Sequence, residues 1–295
     1  NNLPVIIISG HGNIETAVTA IKNGAYDYIS KPFETEKLLI LVERATEVNR
    51  LRRENIELKE QVGHGSELTG TSPAINLIKN TISKVAPSGS RVLISGASGT
   101  GKELVARLIH RQSKRANAAF IVVNAASMSP DNMERELFGV EEDGIIIKTG
   151  VFEKAHGGTL FFDEVADMPQ TTQAKILRIL TDQTFERVGG DLKVQVNVRV
   201  VSATSRNLRE EIDAGKFRED LYHRLNVVPV RVPSLTQRRE DIPVLIKQMM
   251  ISFTNTTGCS PMDINEASLS ALQAHDWPGN VRQLRNTVER IMILF

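Results

Sequence analysis

Residues 91–110 limit the possible folds more than any other stretch. Arg91-Val-Leu-Ile-Ser95 leads into Gly96-Ala-Ser-Gly-Thr-Gly-Lys-Glu103, and Leu104 to His110 follow. An apolar run, a glycine-rich segment and an amphipathic run predict strand, loop and helix in that order. Gly96, Gly99 and Gly101 let the backbone curl so that its N–H groups point inward, and the helix adds the positive end of its dipole. The spacing is G-x-x-x-x-G-K, which suits phosphate oxygens, with Lys102 reaching the outer phosphates. The expected nucleotide-binding segment is Gly96, Ala97, Ser98, Gly99, Thr100, Gly101, Lys102 and Glu103. Glu103 stands where the general pattern has a metal-binding Ser or Thr.

A second element supports this reading. Gly158-Thr-Leu-Phe-Phe-Asp-Glu164 is an apolar strand ending in two adjacent carboxylates, about sixty residues after the loop. Asp163 is placed to hold Mg²⁺ through water, and Glu164 to orient or deprotonate an attacking water. Apolar runs at 91–95, 120–124, 158–163, 198–203 and 227–232 alternate with helical segments, predicting a parallel α/β sheet with helices on both faces. Gly189-Gly190 predicts a hairpin turn before one core strand. After Pro233 the strand signals vanish, and a small helical domain is expected.

The N-terminal part differs. Pro4 to Ser9 predicts a strand covered on both faces, Ile14, Ala17, Val18 and Ile21 one face of a helix that Gly24 ends, and Tyr26 to Ser30 a second strand. From Glu34 to Val62 there is no Gly or Pro. Val48, Leu51, Asn55, Leu58 and Val62 there follow the 3-4 spacing of a coiled-coil seam with one polar Asn, which favours a parallel dimer. Gly63-His-Gly65 breaks the helix. The expected domains are therefore 1–35, a linker helix at 36–65, an α/β subdomain at 66–232 and a helical lid at 233–295.

Of the 295 residues, 41% are hydrophobic and 24% charged, and the net charge is +1. No global field draws the chain to nucleic acid or a membrane. The single cysteine, Cys259, excludes an internal disulfide and fits a reducing cytoplasm. No apolar run is long enough for a membrane span. Both ends look cut, as in a piece of a longer chain.

Together these motifs resemble the bacterial enhancer-binding regulators, AAA+ activators of sigma-54 RNA polymerase, and in particular the NtrX-type branch of the NtrC-like response regulators. GASGTGKE, GGTLFFDEV, FREDLYHRLNV (217–227) and WPGNVRQLRN (277–286) carry the resemblance, and a glutamate after the lysine is normal there. The resemblance implies an AAA+ P-loop α/β fold with a helical lid, preceded by the C-terminal half of a flavodoxin-like receiver domain. Ser9, Tyr28 and Lys31-Pro32 match receiver positions, while the phosphoacceptor belongs to the half that this sequence lacks. The resemblance further implies that Asn124 holds the catalytic Glu164 in its resting pose. Arg218 and Arg224 match arginine fingers reaching a neighbour's γ-phosphate, and Arg282 matches a nucleotide-sensing lid arginine. By spacing alone, the two finger arginines read as partners of Glu219 and Asp220. Ser205 stands where the family usually has a longer Asn.

The pattern breaks at one place. The family's sigma-54 contact, GAFTGA, is absent; Glu136-Leu-Phe-Gly139 is followed by VEEDGIIIKTG (140–150). Ile145, Ile146 and Ile147 are expected to sit in a shortened loop that packs down, the other possibility being an exposed apolar contact. The sequence thus predicts an ATP- and Mg²⁺-binding central module of a two-component transcription regulator, hydrolysing ATP in a homo-oligomer that dimerises through the linker and forms a ring on activation. The alternative is a nucleotide-binding oligomerisation module with little or no turnover. The partners implied are a histidine kinase acting on a complete receiver and enhancer or promoter DNA held by a helix-turn-helix beyond Phe295. Without GAFTGA, sigma-54 polymerase is the least supported partner.

Overall fold

The computed structural model describes residues 4–10, 14–22, 24–47, 67–258 and 262–294. These fall in two compact units, Asn1–Gly65 and Ser66–Phe295. The proposed seam residues from Val48 to Val62, together with Cys259 and Phe295, lie outside the described residues.

In the first unit β1 (Ile6–Ser9) and β2 (Asp27–Ser30) pair in parallel, joined by α1 (Ile14–Lys22). Gly24, at φ +98°, ends the helix by a turn that L-residues resist. The Lys31–Pro32 peptide is cis, and α2 spans residues 35–47. The expectation that β1 is covered on both faces needs correction: Ile7 and Ile8 remain exposed, as do Val18 and Ile21 of α1. One crossover helix covers at most one face of a two-stranded sheet.

The second unit runs α3 (Pro73–Val85), β3 (Val92–Ser95), α4 (Lys102–Arg111), β4 (Phe120–Asn124), α5 (Pro130–Phe138), β5 (Gly139–Glu142), β6 (Ile145–Thr149), α6 (Val151–Lys154) and β7 (Thr159–Asp163). It continues with α7 (Gln170–Asp182), β8 (Thr184–Glu186), β9 (Lys193–Gln195), β10 (Arg199–Thr204), α8 (Leu208–Asp213), α9 (Glu219–Leu225) and β11 (Val228–Arg231). Five strands form one parallel sheet in the order β11-β3-β10-β7-β4. Side-chain alternation builds a core on each face. Leu93, Leu160 and Phe162 pack with residues of α5, α7 and α9, while Val92, Ile94 and Phe161 pack with α3 and α4. Burial on both faces is why these strands read as unbroken apolar runs.

Helix α3 begins at Ser72, whose hydroxyl accepts from Ile75 N–H, with Pro73 at the first helical position. Its last carbonyls would be orphans in the interior. Buried Arg199 of β10 meets them, donating to the carbonyls of Ala86 (2.7 Å) and Val85 (2.9 Å), and it also donates to Ser90 O (3.2 Å) in the loop that follows. Burial, with Arg115 nearby, lowers the Arg199 pKa, and the negative end of the helix dipole stabilises the charge.

Helices α10 (Ile242–Thr257), α11 (Glu266–Ala274) and α12 (Asn280–Leu294) form the lid around a separate core that includes Leu235, Ile242, Trp277 and Leu284. Buried Asp241, just before α10, accepts from Thr71 N–H (2.7 Å), Ser72 N–H (2.9 Å) and the Ser72 hydroxyl (2.6 Å). One carboxylate thus ties the lid to the start of α3, and a Cβ on Gly70 would collide with it.

The isoleucine stretch requires a second correction. It forms strand β6 of an antiparallel hairpin with β5, and Ile145, Ile146 and Ile147 are 66%, 52% and 57% exposed. The packed side of the hairpin is β5. Val140 and Glu141 are buried, Glu141 N–H donates to Val188 O (3.0 Å), and Val188 N–H donates to Gly139 O (3.0 Å). Arg187 then bridges Glu141 (2.8 Å) and Glu153 (2.7 Å). The inner edge is consumed by this network, so the isoleucine strand is left outside. Gly189-Gly190 does turn a hairpin, between β8 and β9.

Candidate nucleotide site

Strands β3, β10 and β7 are neighbours, so their carboxyl ends deliver three loops to one place. Open α/β sheets bind ligands at such an edge. The loop after β3 carries Lys102, β7 ends in Asp163-Glu164, and Ser205 directly follows β10.

Gly99 and Gly101 take φ +76° and +103°, the left-handed backbone that turns successive N–H groups into a nest. Gly96 serves packing: a Cβ there would approach Val232 O to 2.6 Å. Gly99 has a packing role as well, since its Cβ would overlap the carbonyl of Gly279 in the lid. The Thr100 hydroxyl donates to Ala97 O (2.8 Å), and Thr100 O accepts from buried Arg238 (3.2 Å). Glu103 turns outward to Arg107 one helical turn on (2.6 Å).

Buried Lys102 donates to Gly96 O (3.0 Å) and sits 3.2 Å from Glu164 Oε1. The other oxygen, Oε2, accepts from both the backbone N–H and the hydroxyl of Ser205, each at 2.8 Å. Burial pushes Glu164 up, but the two Ser205 bonds and Lys102 outweigh it and hold the carboxyl below its ordinary value. Asp163 goes the other way: burial and the Glu164 charge raise its pKa, against a smaller pull from Lys102. A half-buried carboxylate beside a like charge favours a hard cation, and oxygen donors suit Mg²⁺, so Asp163 fits the expected metal.

Asn124 lies opposite Asp163 in the β4–β7 pairing, but its side-chain oxygen accepts from Ala126 N–H (3.0 Å). Glu164 is held by Ser205 and Lys102 instead of Asn124, a correction to the expected partner. Arg218 is exposed and pairs with Asp220 (2.6 Å), the partnership that spacing alone suggests. Arg224 donates to Leu180 O (3.4 Å). Arg282 lies against the phosphate loop, its N–H donating to Gly99 O (3.2 Å) and its guanidinium reaching Ser98 Oγ (3.5 Å).

Two contributors escaped the sequence reading. Buried Asn280, at φ +51°, donates to Ser98 O (2.9 Å) and accepts from Leu235 N–H (2.8 Å), bridging loop and lid. The Trp-Pro-Gly-Asn turn was its signal. The resemblance places Ser205 at a sensor position, as a shorter side chain to report on the γ-phosphate, whereas its backbone N–H and hydroxyl both bind Glu164.

A parallel sheet of this order, with a glycine loop, a strand-end acidic pair and a helical lid, defines an AAA+ P-loop module. Residues 68–231 match the sigma-54 interaction domain, 236–295 the AAA+ ATPase lid domain and 1–43 the response regulator receiver domain. The receiver match extends into α2, beyond residue 35. The nitrogen assimilation regulatory protein NtrX of Azorhizobium caulinodans is 55% identical over 99% of this chain and 64% of its own length. The DNA-binding transcriptional regulator NtrC of Escherichia coli is 43% identical over 99% of this chain and 63% of its own. A crystal structure of NtrX from Brucella abortus in complex with ATP superposes with a TM-score of 0.87 at 56% identity, covering 99% of this chain and 64% of that one. The chain belongs to the sigma-54 interaction domain family, within the NtrX-type, NtrC-like two-component response regulators. It spans about two-thirds of the length of these relatives.

Proposed function

We propose that this chain binds ATP with Mg²⁺ and hydrolyses it between subunits of a homo-oligomer, as the central module of an NtrX-like transcription regulator. The carrying observation is the convergence of Lys102 and Glu164 (3.2 Å) where the phosphate loop meets the ends of the central strands. The Brucella NtrX structures in complex with ATP and with ADP support extending nucleotide binding to this chain. The loop from Gly96 to Glu103 holds the phosphates, Lys102 neutralises the outer ones, and Arg282 contacts the loop from the lid. Asp163 holds Mg²⁺, which supplies charge neutralisation at the phosphates when bound.

Water oxygen adds to the γ-phosphorus as the bond from that phosphorus to the β–γ bridging oxygen breaks. Glu164 takes the proton of the water, and ADP and orthophosphate result. Arg218 and Arg224 act on a neighbour's γ-phosphate, a duty suited to a permanently charged planar group. Arg218 must leave Asp220 to do so, and an exposed pair of this kind costs little to break. Asn124 stands beside the acidic pair.

The domains we assign are a receiver half at 1–35, which the family match carries on to residue 43, a dimerising linker from there to 65, an α/β subdomain at 66–232 and a lid at 233–295. A histidine kinase acting on a complete receiver and DNA bound through a further domain complete the system, in the cytoplasm. No helix among the described residues is long and apolar enough to cross a membrane. Without GAFTGA, coupling to sigma-54 runs through another contact or does not occur.

The test is ATP turnover against protein concentration. Turnover per subunit should rise with concentration, and Lys102→Ala and Glu164→Gln should reduce it at least a hundredfold, roughly the weight of such groups. Wild type showing no turnover at any concentration sinks the hydrolytic reading. The alternative, a nucleotide-gated oligomerisation module, then gains, motivated by the self-contained pairing of Arg218 and the restrained Glu164.

A further inference from the structure

Helix α7 carries a glutamine in the middle of its buried face. Thr172, Gln173, Ile176, Ile179 and Leu180 make up that face, and Gln173 is 0% exposed. An amide in such a place is costly unless it is bonded. Gln173 is bonded three times. Its Nε2 donates to Met168 O (2.8 Å) and Lys216 O (3.0 Å), and its Oε1 accepts from Arg218 N–H (2.9 Å). Two carbonyls need a donor and one N–H needs an acceptor, a demand that an amide meets and that a carboxylate or an aliphatic side chain does not. One turn earlier on α7, Gln170 donates to Gly215 O, and Gly215 turns the chain at φ +67°. Phe217 is buried in the same core as Ile176 and Leu221. The main chain leading into α9 is therefore gripped from Gly215 to Arg218, while the Arg218 guanidinium stays exposed and pairs with Asp220 (2.6 Å).

We propose that Gln173 is a positioning residue for Arg218, fixing the backbone from which the guanidinium is presented to a second copy of this chain. The proposal rests on the hydrolytic reading given above, in which Arg218 serves a neighbour's γ-phosphate. A cation on a long side chain is aimed by its backbone. Arg218 is the residue just before α9, at φ −80° and ψ 131°, and its side chain makes no cap to that helix. The aim therefore comes from outside α9, and the Gln173 amide supplies it by holding Lys216 O and Arg218 N–H together. A misplacement of about 1 Å at a group that acts in the transition state costs on the order of a hundredfold in rate. The hydrogen bonds of Gln173 go to none of Lys102, Asp163 or Glu164, so its effect falls on the reaction of the neighbour and spares nucleotide binding in its own subunit.

The experiment compares full chains of wild type, Arg218→Ala, Glu164→Gln, Gln173→Met and Gln173→Glu, alone and in pairwise mixtures, for Mg-ATP turnover and for ATP affinity by calorimetry. Gln173→Met keeps the length and drops all three bonds. Gln173→Glu keeps an acceptor for Arg218 N–H but sets a carboxylate oxygen against the carbonyls of Met168 and Lys216. Both should bind ATP within about twofold of wild type and lose about ten- to a hundredfold in kcat. Mixing either with Glu164→Gln should restore part of the turnover, because one copy then supplies the intact site and the other the aimed arginine. Mixing either with Arg218→Ala should restore none, since neither copy presents the guanidinium correctly. Recovery with Arg218→Ala, or none with Glu164→Gln, overturns the proposal, because Gln173 would then serve its own subunit's site through Met168. Wild-type turnover in both Gln173 variants overturns it, as does an Arg218→Ala as active as wild type. Loss of ATP binding in both variants overturns it as well, marking Gln173 as a part of the fold alone; where one variant loses binding, the mixtures of the other decide. With wild type active, each of these results leaves hydrolysis by this chain standing. A wild type silent at every concentration removes both readings.

Discussion

At the scale of single residues, the glycines of the phosphate loop separate into those that shape the backbone and those that make room. Gly101 has open space around its Cα and is required by its φ of +103° alone. Gly99 meets both demands, so Gly99→Ala should lower ATP affinity more than tenfold, read by calorimetry, with nucleotide-free melting also reduced. Asn280→Ala removes bonds to Ser98 O and Leu235 N–H and should destabilise the fold by about 2 kcal/mol in urea titration, leaving buried groups without partners. The loop with its lysine, and the acidic pair about sixty residues further on, are legible because each is a contiguous motif with its own chemical logic. Asn280 and Ser205 are not, since each acts on a loop far away in the chain and the short patterns around them carry no information about that partner.

At the scale of elements, buried charge does the joining. Arg199 caps α3 from a neighbouring strand, and Arg199→Leu should cost roughly 3 kcal/mol by stranding carbonyls that lose a charged donor. The hairpin β5–β6 is joined through Arg187, whose hydrogen bonds lead the effects that hold Glu153 below its ordinary pKa. A carboxyl depressed in the folded state contributes stability above its unfolded pKa and loses it as pH falls through the folded value. Melting temperature should therefore decline on acidification below the ordinary glutamate range, and Arg187→Met should flatten that acid limb while lowering the plateau. The three isoleucines misled the sequence reading because an apolar run signals burial only if its strand has a covered face. Here Glu141 and Arg187 occupy that face. Replacing Ile145, Ile146 and Ile147 with Ser should accordingly change stability by about 0.5 kcal/mol or less per site, where a buried stretch would lose several.

At the scale of the whole molecule, the parallel order and the lid were readable from the alternation of apolar runs and from its end after Pro233. The degree of exposure was not, because coverage depends on which neighbours are present. The exposed face of β1 and α1 in the receiver half shows the same limit as the isoleucine hairpin. If the proposed site works between subunits, sedimentation with Mg-ATP or a transition-state mimic should shift the chain to larger species. Arg218→Ala and Arg224→Ala should then bind ATP normally while losing turnover, and mixing either with Glu164→Gln should restore part of it, since each supplies what the other lacks.

The contact between Gly99 and Gly279 bears on inheritance as well as on shape. A methyl group added at Gly99 fills the space held by the Gly279 carbonyl, so the phosphate loop and the lid turn draw on a single volume. Drift at residue 99 is tolerable only if the turn at 277–280 retreats with it. Among descendants of this sequence, the two segments should therefore change together or not at all, and grafting one from a distant relative should require grafting the other.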